Sequence, residues 1–146
     1  MSIKSEKAKE LFKQGYNCSQ SVLAVFCEEM GLDFKTAMKL ASSFGGGMGR
    51  MREVCGTVSG MFMAAGLALA SSDDVKQGNN EQYKIVQELA KNFKDKNGSI
   101  ICKELLAGPE DKPEDYKKRP CVELVGDAVE ILEEYISKRK NVGEIL

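Results

Sequence analysis

A chain of 146 residues carries one domain's worth of core, and its 21 basic against 22 acidic side chains, net charge −1, supply no field to gather a polyanion such as nucleic acid. Histidine and tryptophan are absent, which excludes imidazole bases, His-containing metal sites and haem attachment through C-x-x-C-H. Five cysteines are too sparse for a secreted disulfide scaffold and odd in number, and no basic n-region followed by an apolar h-region opens the chain, so reduced thiols in a cytoplasmic protein are the expectation.

In chain order, Ser5 is placed to cap a first helix whose Ala8, Leu11 and Phe12 recur at helical spacing and which Gly15 ends. A second helix is expected over 19–30, with Val22, Leu23, Phe26 and Met30 on one face and Gly31 as its stop. Asp33 caps a third, with Phe34, Ala37, Met38, Ala41 and Phe44 as its buried stripe, and the triple glycine 45–47 turns the chain. From Val54 to Ala70 there is no charge, but the stretch is short and glycine-diluted, so it reads as a central buried helix and not as a membrane span.

SSDDVKQGNN reads as a surface link, after which Tyr83, Val86, Leu89, Ala90 and Phe93 outline an amphipathic helix closed by Asn97 and Gly98. Ser99 is placed to cap a short helix ending near Gly108, and PEDKPEDYKKRP is a charged, proline-punctuated loop. Pro120 restarts helix, and Val125, Ala128, Val129, Leu132, Tyr135 and Ile136 carry it to a frayed basic tail. No stretch alternates with period two. The expectation is an all-α, single-domain helical bundle over 1–146, of six to seven helices around the uncharged one.

On this map Cys18, Cys55, Cys102 and Cys121 each fall at or in the first turn of a helix, where unpaired N–H groups and the positive end of the helix dipole favour thiolate. Cys27 falls mid-helix between Phe26 and Met30, where burial makes a thiol inert, and is set aside. Ahead of Cys55, the glycines of FGGGMGRMREVC allow left-handed backbone, and their successive N–H groups together with Arg50 can cradle an anion. Gly46, Gly47, Gly49 and Arg50 are therefore the candidate cofactor-binding residues, and Arg50 and Arg52 are expected to favour a thiolate at Cys55. Neither nucleotide fingerprint fits, since GxxxxGK[ST] is missing and Arg50 stands where GxGxxG needs glycine. Gly56 and Gly60 share a helix face and invite a close crossing.

The segments NCSQS (17–21), FGGGMGRM (44–51) and VCGTVSG (54–60), followed by isolated Cys102 and Cys121, resemble the C_GCAxxG_C_C family, described as redox-active. The resemblance spans nearly the whole chain and implies a small helical protein whose four characteristic cysteines are Cys18, Cys55, Cys102 and Cys121. Thr57 departs from it, standing where the family name has alanine. Three functions stay open. The four thiols act as a redox centre by thiol–disulfide exchange or electron transfer, which would make the protein a thiol-dependent oxidoreductase. Alternatively the same four cysteines ligate an iron–sulfur cluster or zinc, although no C-x-x-C supports either. Or the chain is a non-catalytic helical module. The expected partner is a redox protein or a small-molecule substrate, with homodimerisation left open.

Overall fold

A computed structural model describes residues 1–71, 73–108, 110–115, 117 and 119–141, with side chains through residue 140. The described residues form an all-α fold of seven right-handed helices: α1 Ile3–Lys13, α2 Cys18–Cys27, α3 Phe34–Ala41, α4 Gly56–Leu69, α5 Val75–Asn97, α6 Cys102–Ala107 and α7 Cys121–Asn141. Helix α2 lies at the centre, packed on α1, α3, α4 and α7. Its Val22, Leu23 and Phe26 meet Val58, Met61, Ala64 and Ala65 of α4 and Val125, Ala128, Val129 and Leu132 of α7 in one core. Helix α5 adds Ile85, Leu89 and Phe93. No described helix is long and apolar enough to cross a membrane.

Helix starts are set by side-chain caps. Ser2, not Ser5, caps α1, and Ser5 instead completes a capping box from the N3 position. Asn17 caps α2 in a second box: its Oδ1 accepts from the Gln20 amide at 2.9 Å and Gln20 Oε1 accepts from the Asn17 amide at 3.0 Å. The spare amide hydrogens of the same pair donate to Ser42 O at 3.2 Å and Met38 O at 3.0 Å, fastening the head of α2 to the end of α3. Asp33 caps α3 as expected. Helix α2 stops at Cys27 instead of Met30, and Gly31 completes the turn at φ +85°.

Residues 56–61 of helix α4 are all buried, which suits its uncharged sequence, whereas Leu67 near its end is exposed. The helix crosses α2 closely: a Cβ at Gly60 would stand 2.6 Å from Ser19 O. The link expected over SSDDVKQGNN is mostly helix, because Asp74 caps α5 and its first two turns are polar on an exposed face. Ile101, not Ser99, is the N-cap of α6; Ser99 Oγ accepts from the Ile101 amide at 3.0 Å and donates to Glu104 at 2.7 Å. The charged loop over 109–120 falls partly outside the described residues, as does the tail over 142–146; the described loop residues form bends and turns. Pro120 O accepts from Glu123 N at 2.9 Å, so Pro120 flanks α7 and Cys121 opens it, one residue later than the start expected at Pro120.

Helices α1 and α7 run antiparallel, with the Met1 amino group 3.5 Å from Glu130 and Lys9 Nζ 3.3 Å from Glu123. The head of α7 is fixed by the buried carboxylate of Asp127, which pairs with Lys96 of α5 at 3.0 Å and with Arg119 at 2.7 Å.

Candidate thiol site

Between α3 and α4 the backbone does something few L-residues do. After a short 3₁₀ turn at Ser42–Phe44, residues 46–50 all have positive φ: Gly46 +68°, Gly47 +71°, Met48 +66°, Gly49 +64° and Arg50 +68°. Arg52 follows at +63°. The result is one turn of left-handed helix, closed by Arg50 N to Gly45 O at 3.3 Å, Arg52 N to Gly46 O at 3.3 Å and Glu53 N to Gly47 O at 3.0 Å. Glycine adopts these angles freely, whereas each of Met48, Arg50 and Arg52 holds them at about 1–2 kcal/mol. The amides of Arg50, Arg52 and Glu53 donate inside the turn. What the turn gives the site is shape.

That shape sets Cys18 and Cys102 against its two ends. A Cβ on Gly56 would collide with Cys18 Sγ and stand 2.6 Å from Phe44 O and 3.2 Å from the Gly45 Cα, so the Cys18 sulfur rests on the residue after Cys55. A Cβ on Gly47 would stand 2.5 Å from the Cys102 Cβ and 2.9 Å from the Arg52 Cα. A Cβ on Gly45 would meet the Asn17 side chain at 2.7 Å. The glycine turn thus touches the cap of Cys18 at one end and Cys102 at the other. Cys55 and Cys102 are joined separately by an antiparallel bridge of Val54 with Ile101, in which Cys55 N donates to Ile100 O at 2.8 Å and Cys102 N to Glu53 O at 2.6 Å. Cys121 stands at the head of α7, as its first residue.

The thiols differ in environment. Cys18 is half-buried, whereas Cys55 and Cys102 are 7% and 8% exposed. Cys55 is the N-cap of α4, yet its thiol is pushed up to about 11, first by burial and then by the neighbouring Cys18 sulfur, with the Thr57 hydroxyl and the α4 amides opposing. This reverses the direction expected from its place at a helix start: at Cys55, loss of water outweighs the dipole. Burial likewise raises Cys27, as its place in the core leads one to expect.

Arg52 also departs from expectation. Its Nη1 donates to Cys102 Sγ at 3.7 Å, so the left-handed backbone at Arg52 serves Cys102 and not the nearer-in-sequence Cys55.

Two hydroxyls stand next to the thiols in sequence: Thr57, where the family name has alanine, and Ser19, which follows Cys18. Ser19 and Thr57 are 0% and 1% exposed, and neither Oγ has a well-formed hydrogen bond. Thr57 lies close enough to Cys55 for its hydroxyl to oppose the rise in the thiol's pKa.

Among the described residues no group of three or more Cys, Asp or Glu side chains is arranged to hold a metal ion. The described cysteines therefore offer no ready-made ligand set for the iron–sulfur or zinc alternative. All five thiols are unbridged. The fold and site together define a small all-α protein with separated cysteines set around a left-handed turn. Over residues 16–135 the chain matches the family described as "Putative redox-active protein (C_GCAxxG_C_C)", and it belongs to that family. No curated protein and no solved structure matches it.

Proposed function

We propose that this protein carries out thiol–disulfide exchange and that Cys18 and Cys55 are the pair that cycles between dithiol and disulfide. The observation that carries the reading is the seating of Cys18 Sγ directly on Gly56, beside a Cys55 whose ionisation responds to Cys18. Cys18 is the more exposed and attacks a substrate disulfide R–S–S–R′. The Cys18–S–R bond forms, the S–S bond breaks, and R′S⁻ leaves and takes up a proton. Bonded to R, Cys18 can no longer bear charge, so its contribution to raising Cys55 vanishes while the Thr57 contribution remains. Cys55 then loses its proton, attacks Cys18 Sγ and expels RS⁻. The protein gives up two electrons and two protons, and the substrate becomes two thiols. A thiol or dithiol donor reverses the change.

Oxidised glutathione tests the reading. Wild-type protein should consume one equivalent, release two of glutathione and lose two thiols. Cys55→Ser should stop at a stable glutathione adduct on Cys18, and Cys18→Ser should form neither adduct nor disulfide. A Cys55→Ser protein that carries no adduct, or a Cys18→Ser protein that still loses two thiols, contradicts it.

A further inference from the structure

Cys102 takes no part in that pair, yet it is the thiol to which Arg52 donates and on which the left-handed turn rests. Its backbone is bridged to that of Cys55: with Val54 opposite Ile101, Cys55 lies opposite Ile100 and Cys102 opposite Glu53. The pairing across this isolated bridge makes Cys55 and Cys102 diagonal neighbours on the same face. In a regular ladder such positions are about 7–8 Å apart. A disulfide needs Cα atoms within about 7 Å, so joining these two requires a small backbone shift. The turn is what such a shift would displace, because Gly47 is packed on the Cys102 Cβ and Gly45 on the Gly56 that seats Cys18. It is also poised to move, since Met48, Arg50 and Arg52 hold left-handed angles that relax when it opens.

We propose that Cys102 is the third thiol of an internal disulfide relay and that the turn over 46–50 is its gate; the proposal rests on the Cys18–Cys55 pair. The Cys102 thiolate, held by Arg52, attacks Cys55 Sγ of the Cys18–Cys55 disulfide. The Cys55–Cys102 bond forms and the Cys18–Cys55 bond breaks. Cys18 leaves as thiolate and recovers the proton that Cys102 gave up, so the step is an isomerisation without external oxidant. Oxidising equivalents enter at Cys18 and leave at Cys102, and the reductant that collects them engages the side of the site carrying Arg52.

Wild-type protein oxidised with oxidised glutathione, then quenched at intervals for non-reducing peptide mapping and amide hydrogen exchange, tests the relay. The Cys18–Cys55 peptide should appear first and the Cys55–Cys102 peptide should grow at its expense. The amides of Arg50, Arg52 and Glu53, bonded inside the turn, should exchange at least tenfold faster as it does so. Cys102→Ser should stop at Cys18–Cys55 with slow amides, and Arg52→Gln should slow the second step severalfold. A wild-type Cys18–Cys55 disulfide that persists with unchanged exchange overturns the relay and leaves the pair standing. Oxidation that never yields Cys18–Cys55 overturns the pair and the relay with it.

Discussion

At Cys55 two influences that the sequence presents as one pull in opposite directions: the helix start favours thiolate, and burial on the floor of the site favours thiol. Burial wins, and the pH dependence follows from its sign. The thiol titrates near 9 when unfolded and near 11 when folded, so between these values the unfolded chain has released a proton that the native state keeps. The stability this contributes is fully present below pH 9 and is lost as pH rises through 11, at most about 2–3 kcal/mol for two pH units. Urea unfolding at pH 8 and pH 10.5 should show wild type losing more stability over that interval than Cys55→Ser, whereas equal losses would contradict the burial argument. Gly56 is the second residue on which the site depends. Gly56→Ala places a methyl group on Cys18 Sγ and Phe44 O, and it should cost about 1–3 kcal/mol while slowing formation of the Cys18–Cys55 bond. Chemical denaturation and timed thiol alkylation read the two effects separately.

At the scale of elements, short contacts to backbone settle questions that propensity leaves open. Gly78 sits inside α5, where alanine ordinarily gains about 1 kcal/mol, but its Cβ would stand 2.6 Å from Ser71 O. Gly78→Ala should therefore lower the melting temperature despite its better helix propensity. Asp127→Asn should destabilise by about 1–3 kcal/mol, since it removes the charge that holds Lys96 and Arg119 at the head of α7; a shifted urea midpoint would register it. Where apolar residues recur every three or four positions, as along Val125 to Ile136, the helix was legible in the sequence. The first two turns of α5 were not, because Val75 and Gly78 give no stripe and the cap at Asp74 hides among other polar residues. Capping ambiguity explains the shifted start of α1, where Ser2 and Ser5 can each serve; at α6 the cap falls on Ile101, two residues after Ser99, whose hydroxyl instead accepts from the Ile101 amide.

For the whole molecule, the sequence marks four thiols at helix starts, and the fold decides what each faces. The glycines of the turn announce left-handed backbone. That Met48, Arg50 and Arg52 share it was not readable, because packing against Cys102 and Asn17 imposes those angles and no propensity encourages them. Nor could the chain order foretell that Arg52 serves a cysteine fifty residues away. What unites these features is the convergence of Cys18 and Cys55 where α2 crosses α4. Disulfide mapping of wild-type protein after brief, substoichiometric oxidation tests it most directly. The account predicts a first-formed bond between the peptides carrying Cys18 and Cys55, and a first bond between any other two cysteines, or none at all, would contradict it.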